Sequence, residues 1–304
     1  MSENQPFSTW SYQQHERHLQ AQAEQQGDPL HRLMEQDSIH GWRHDRMYRS
    51  LEPLMAWGGR WLTIGDGIGT DANWLIGQGA TAVASDIGDA LLQQAQQRGL
   101  IQEFRKENAE HIQLPDQSFD FVLCKEAYHH FPRPYLAVYE MLRVCGRAIV
   151  LIEPQDPIQQ MPLLLFLKNT LQRFAPGMLS RIWKNQYSFE TVGNYVYKIS
   201  EREVEKIAMG MGYRAVAFYG LHDCPLDHPD MNKMPPDPKL FRVVKRQIAW
   251  KNWLSRLGII PYRLLCCVIF KTTPPPQIIQ QLETHGFRYI ALPPNPYANV
   301  IHSE

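Results

Sequence analysis

Long apolar runs are missing from this chain of 304 residues. A membrane-spanning helix needs ~18–20 consecutive, mostly apolar residues, and no stretch approaches that, so no spanning helix is expected. The opening residues, MSENQPFSTW, lack the basic-then-apolar pattern of a secretory leader. The expectation is a soluble, cytoplasmic chain. An excess of either charge is missing too: 31 Lys and Arg balance 31 Asp and Glu. Binding nucleic acid through its phosphates calls for a broad basic surface, so no nucleic-acid partner is expected, and the balance equally excludes an acidic disordered chain. Cysteine is scarce and unpaired. The five, Cys124, Cys145, Cys224, Cys266 and Cys267, are odd in number and form no CxxC pair, so neither a disulfide framework nor a cysteine-built zinc site is expected. Repeats and low-complexity linkers are likewise absent from the sequence.

What is present is a change of texture along the chain. Residues 1–50 are rich in Gln, His and Arg and read as a helical cover, with SYQQHERHLQAQAEQQ a solvated helix. From Arg60, short apolar runs alternate with helical stretches: RWLTI, DANWLIGQ, TAVAS, DALLQQAQQRG, SFDFVLC, PYLAVYEMLRV and RAIVLIE. Such alternation implies βαβ units and a mostly parallel sheet with helices on both faces. Runs of Val, Ile and Leu without polar alternation fit strands buried on both sides. After Glu153 the rhythm breaks at an apolar patch, MPLLLFLKNTLQRF, before a helix, SEREVEKIAMGMGY, and a strand, AVAFYG. A Pro, Asp and His-rich stretch, a basic segment (VVKRQIAWKNWLSRLG), the strand LLCCVIF and a helix–strand ending (PQIIQQLETHGF, RYIALP) complete the chain. The division that follows is a cover over 1–50, a core over 51–271 with insertions at about 155–200 and 221–262, and an extension over 272–304.

The segment LTIGDGIGTDA, residues 62–72, carries the chemistry. A buried strand runs straight into Gly65, Gly67 and Gly69, and a helix begins at about Thr70. A tight turn of this kind needs positive φ and a backbone that a ligand can approach, and the free N–H groups of the new helix attract an anion. Asp86 ends the next strand, TAVASD, where a carboxylate accepts hydrogen bonds from ribose hydroxyls. The dinucleotide fingerprint GxGxxG would place a glycine at position 70, which is Thr70.

The GxGxG form resembles motif I of the class I S-adenosylmethionine-dependent methyltransferases of the type 11-like group. NAEHIQLPDQSFDFVLCKEAYHHFPRPYLAVYEMLRV resembles the same family's later run, and RAIVLIEP its fifth strand. The resemblance is close over roughly residues 58–154 and loose over 200–271. It implies a Rossmann-like, doubly wound α/β fold with a mostly parallel seven-stranded sheet, a helical N-terminal cover, lid insertions and S-adenosyl-L-methionine as cofactor. It further implies that Gly65, Asp66, Gly67 and Gly69 meet the methionine half, with Asp66 at its ammonium group. Asp86 would hold the ribose, Ile87 the adenine face, Asn108 and Ala109 the adenine edge, and Lys125 the amino-acid end. Asn108 stands where the family usually has Asp, and Asp66 where it often has Cys. Trp42 and Arg43 are candidates to close over the carboxylate.

Methyl transfer asks for in-line alignment and exclusion of water, and a hydroxyl acceptor also needs a base. His129 and His130, after the fourth strand, are the candidates, against a reading in which both only pack and orient the loop. Tyr128 and Glu153 read as wall residues. The expected acceptor is a small molecule, a sugar or secondary metabolite methylated on oxygen; a nicotinamide oxidoreductase and a non-catalytic cofactor-binding protein are the alternatives. No metal is expected: His222, Asp223, Cys224, Asp227 and His228 have ligand-type side chains at a spacing that matches no standard site. LPPNPY at 292–297 reads as a proline turn. Residues 161–183, with Lys168, Arg173, Arg181 and Lys184 nearby, read as a lid with its apolar face packed inward, in preference to an interfacial membrane helix. A homodimer stays open.

Overall fold

In a computed structural model of the protein, residues 6–24, 30, 37–156, 161–182, 188–190, 193–223 and 228–296 are described. The strands are β1 Arg60–Ile64, β2 Thr81–Asp86, β3 Glu103–Lys106, β4 Phe119–Lys125, β5 Cys145–Pro154, β6 Ala215–Leu221, β7 Leu264–Phe270 and β8 Arg288–Ala291. They form one sheet in the order β3-β2-β1-β4-β5-β7-β6-β8. Strands β1 to β5 are parallel, β7 runs antiparallel to both β5 and β6, and β8 runs antiparallel to β6. Eight strands replace the seven expected. The one with no signal in the sequence is β3, EFRK, a short edge strand whose residues are all at least partly exposed. An edge strand has a single neighbour and no buried second face, so it carries no apolar run.

Eleven α-helices are described: α1 Phe7–Glu24, α2 Ile39–Tyr48, α3 Glu52–Met55, α4 Thr70–Gly77, α5 Ala90–Gln97, α6 Pro134–Val144, α7 Pro162–Phe174, α8 Pro176–Ile182, α9 Glu201–Gly210, α10 Pro238–Arg256 and α11 Pro276–His285. Their starts are written locally. Ser200 and Glu203 form a reciprocal capping box on α9, and the Asp237 carboxylate accepts from Leu240 N–H at the start of α10.

Because side chains alternate across a strand, each central strand feeds two cores. On β4, Phe121 and Leu123 enter one cluster while Val122 and Cys124 enter the other. On β7, Cys266, Val268 and Phe270 face one side and Leu265, Cys267 and Ile269 the opposite one. Cys124, Cys145, Cys266 and Cys267 are buried free thiols. A third, small cluster of Ile39, Met231, Val244 and Ile248 ties α2 to α10. No described helix is long and apolar enough to cross a membrane.

One expectation is corrected here. Helix α7 buries none of its residues, so its apolar face does not pack inward as a lid would.

Candidate functional site

The order of the strands reverses between β1 and β4, and in an open α/β sheet the crevice beyond the strand ends at that switch point is where a ligand binds. β1 enters it at Ile64 and turns through Gly65, at φ +73°. A Cβ on Gly65 would stand 2.4 Å from the Ala127 Cβ, in the loop after β4. Only glycine lets these two neighbouring loops close together. Gly69, at φ +82°, is the N-cap of α4, and a Cβ there would press on Ile101 at 3.2 Å. Its role is packing under the turn, whereas Gly65 and Gly67 form the wall.

Asp66 departs from its expected part. Its Oδ1 accepts from Asp71 N–H at 2.9 Å, and its Oδ2 from Ala72 N–H at 2.9 Å and from the Thr63 hydroxyl at 2.8 Å. The carboxylate is buried against the N-terminus of α4 and satisfies its free amides. It shapes the loop, and it also lines the cavity on the Lys125 side of the turn.

Two cavities meet over the turn, sharing Leu19, Gly65, Gly67 and Glu126. The first, of about 570 Å³, is lined by Asp86, Ile87, Glu107 and Ala109 together with Tyr12, His15 and His130. Asp86 Oδ2 accepts from Gly67 N–H at 2.9 Å and Oδ1 from Gly88 N–H at 3.1 Å, which fixes the carboxylate at the cavity edge. Burial raises its pKa, against the hydrogen bonds from those amides. Asn108 is not on this wall: its side-chain oxygen accepts from Glu110 N–H at 2.9 Å and closes a local turn. Glu107 and Ala109, on either side of it, take the wall positions.

The second cavity, of about 930 Å³, holds Lys125, Asp71, Trp42, Arg43, His44 and Arg263. Lys125 Nζ lies 3.3 Å from Asp71 Oδ1 and 3.6 Å from Glu126 Oε2. Burial by itself would lower its pKa, but Asp71, Tyr48 and Glu126 outweigh that and hold Lys125 a cation. The Tyr48 hydroxyl donates to the same Asp71 oxygen at 2.6 Å. Arg43 donates to Asp223 Oδ2 at 2.6 Å, while Arg263 Nε stands 3.0 Å from Asp223 Oδ1. Trp42 packs edge-on to Phe241. Both cover residues thus line the side of the turn that Lys125 occupies.

The two histidines separate. His129 Nδ1 is 2.7 Å from Glu153 Oε2, and the other oxygen of this fully buried Glu153 accepts from Ala127 and Tyr128 N–H, each at 2.9 Å. Burial would lower the His129 pKa, but the Glu153 carboxylate overrides it and the value lies above the ordinary 6.5. His129 and Glu153 therefore brace the turn after β4, and His129 is not among the residues that line the cavity. His130 is. Its Nδ1 sits 2.6 Å from Glu190 Oε2. Burial pushes the Glu190 carboxyl up, and the bond to His130 with the neighbouring imidazole charges outweighs it, leaving its pKa below the usual value.

His15 lies beside this pair, with its ring centroid 5.5 Å from that of His130 and its Nε2 3.0 Å from Asn194 Oδ1. His15, His130 and Glu190 bring ligand-type atoms within 4.8 Å of one another. Two ligands on a tetrahedral zinc with bonds of 2.0–2.1 Å stand about 3.3 Å apart, whereas His130 Nδ1 and Glu190 Oε2 lie at the 2.6 Å of a hydrogen bond. In the other histidine-containing segment, His222 bonds Ser255 and Asp223 is held by the two arginines. Cys224 and Asp227 lie outside the described residues, as do Trp183, Lys184 and Tyr297.

Sequence reasoning missed Tyr12, His15, Leu19, Glu107 and Glu190. A Cβ on Gly67 would meet Leu19 Cδ2 at 3.8 Å, so α1 lies directly over the glycine turn. The trace in the sequence is the spacing of Tyr12, His15 and Leu19, which puts them on one face of a largely polar helix.

The methyltransferase domain family model matches residues 62–148. No curated protein matches the sequence. Solved structures similar in outline include a SAM-dependent methyltransferase from Thermotoga maritima, at 16% identity over 73% of this chain and 88% of that one, with a TM-score of 0.44. Another, from Archaeoglobus fulgidus, has 14% identity over 75% and 94% with a TM-score of 0.45. The YcgJ protein of Bacillus subtilis has 19% identity over 73% and 96% with a TM-score of 0.42. The matched residues run from within β1 into β5, through the glycine turn, Asp86 and the loop after β4, and they remove the nicotinamide alternative: residues 62–148 are a methyltransferase domain, with S-adenosylmethionine as its cofactor.

Proposed function

We propose that the protein methylates a hydroxyl of a small-molecule acceptor, a sugar or a secondary metabolite, with His130 as the base. S-Adenosylmethionine, when bound, supplies an activated methyl group on a sulfonium. The residues present suit it. The glycine turn leaves room where a Cβ would crowd, Asp86 offers a fixed carboxylate to ribose hydroxyls, and Ile87 and Ala109 offer an apolar face and edge to the adenine. On the other side of the turn, Lys125, Trp42 and Arg43 suit the amino-acid end, with Lys125 and Arg43 as cations for its carboxylate.

The observation that carries the acceptor reading is the His130–Glu190 pair on the cavity wall. A carboxylate on Nδ1 holds the imidazole in the tautomer whose Nε2 is free to accept a proton. His130 Nε2 would take the proton that the acceptor hydroxyl loses on methylation. Glu190 stabilises the resulting charge. A base of this kind contributes ~10²–10⁴ in rate.

The test is turnover of a panel of hydroxyl and amine acceptors by the purified full chain. With a hydroxyl acceptor, His130→Gln lowers kcat by ~10²-fold or more and Glu190→Gln lowers it less, while cofactor affinity measured by calorimetry holds. Full kcat in His130→Gln with a hydroxyl acceptor overturns the base. Turnover of amines alone overturns the hydroxyl, and cofactor binding without turnover of any acceptor returns the non-catalytic reading.

A further inference from the structure

We infer that α7 and α8 together with α10 form a monotopic docking surface for an anionic lipid bilayer. Helix α7 exposes a stripe of Leu163, Phe166, Leu167 and Phe174, spaced for one helical face, with Leu163 71%, Phe166 65% and Phe174 75% exposed. Met178 of α8 is exposed as well. Helix α10 is two-faced. Val244, Ile248 and Ser255 are buried on one side, whereas Val243, Trp250 and Trp253 stand exposed on the other with Lys239 and Arg246. The two indoles stack at a centroid distance of 5.0 Å and are 59% and 50% exposed. Leu257 and Ile259 continue the exposed apolar surface beyond the helix.

Charge names the occupant. Residues 161–182 contain three basic side chains, Lys168, Arg173 and Arg181, and no acidic one. Helix α10 contains six, Lys239, Arg242, Lys245, Arg246, Lys251 and Arg256, and again no acidic one. In a chain whose net charge is zero, this is a strong local asymmetry. Exposed Leu, Phe and Trp beside Lys and Arg, on helices too short and too charged to cross a bilayer, is the composition of a helix that lies in the interface of anionic lipid. Lysine and arginine alone would suit a polyphosphate such as RNA equally, but exposed aliphatic side chains gain nothing from a phosphate backbone.

The segments adjoin. Met161, immediately before α7, and Asn252, Ser255 and Arg256 at the end of α10 line one cavity of about 530 Å³ with Tyr219 and Gly220 of β6. That cavity opens at the end of β5 and β6, the same edge of the sheet as the glycine turn. Docking on this surface holds that edge toward the bilayer.

The experiment is flotation of the full chain with vesicles of phosphatidylcholine alone and with phosphatidylglycerol added, at low and high salt. The chain is expected to float with the anionic vesicles only, to be released by salt, and to show blue-shifted tryptophan emission when bound. Combined Phe166→Ser, Phe174→Ser, Trp250→Ser and Trp253→Ser substitution is expected to weaken flotation at least tenfold while leaving circular dichroism and cofactor affinity unchanged. A second variant, Arg242→Gln with Arg246→Gln, is expected to need less salt for release. Absence of flotation with anionic vesicles at low salt overturns the proposal. So does flotation of the serine variant equal to that of the parent, or retention by RNA in a chain that ignores vesicles.

Discussion

His129 and His130 are adjacent in sequence and opposite in use. The 3₁₀ turn Tyr128–His130 rotates successive side chains apart, so one imidazole meets the buried Glu153 and the other the cavity. The His129–Glu153 pair makes stability depend on pH. Its folded pKa is raised above the ordinary 6.5, so the native state holds the proton more tightly than the unfolded chain. The stabilisation is fully present below pH 6.5 and is lost as pH rises through the folded value, with a slope of at most about 1.4 kcal/mol per pH unit. Urea denaturation from pH 6 upward is expected to show this decline, and His129→Gln to flatten it. An unchanged slope in the variant would remove the assignment. The two residues are equivalent as letters; their separation depends on partners 24 and 60 positions away.

At the scale of elements, the join between β1 and α4 governs the site. Asp66 accepts from two amides at the start of α4 and from Thr63 on β1, so it fastens the strand to the helix across the glycine turn. Removing a buried acceptor strands its donors and costs about 1–3 kcal/mol. Asp66→Ala is therefore expected to lower the free energy of unfolding by that amount, read as a lower urea midpoint with little change in slope. If Asp66 served the cofactor's ammonium group instead, stability would hold and cofactor affinity alone would fall. The strand–turn–helix itself was legible because its cause is local: apolar residues into glycines into helix formers. The polar edge strand β3 was not, since pairing with β2 places it and no buried face marks its residues. The exposure of α7 was equally illegible, because an amphipathic pattern states that a helix has an apolar face without stating what covers it.

At the scale of the whole molecule, α1 crosses from the cover to the core and lays Tyr12, His15 and Leu19 along the first cavity. His15 to Asn194 and Lys106 to Glu16 are among the polar ties that accompany it. A ligand that binds the native arrangement stabilises it by mass action, by about 2.7 kcal/mol at a hundred times Kd. Saturating S-adenosylmethionine is accordingly expected to slow amide exchange in 7–24 as well as at the glycine turn. Unchanged exchange in α1 alongside slowed exchange at residues 65–69 would show that α1 takes no part in holding the cofactor. Asp86→Ala is expected to weaken the cofactor and to remove both effects together, read by calorimetry and exchange.

By itself the sequence determined the parallel core of the sheet, the glycine turn, the acidic end of β2 and, through its resemblance, the methyl donor. Each of these is encoded by neighbours a few residues apart, where backbone conformation and side-chain periodicity are local properties. Only the tertiary structure decided which polar side chains face the cavities. It turned Asp66 into a helix and Asn108 into its own loop, gave the wall to Glu107, and brought His15, His130 and Glu190 together from three distant segments. The physical reason is that a buried polar atom must find a partner, and which partner it finds depends on packing between segments that sequence spacing does not describe.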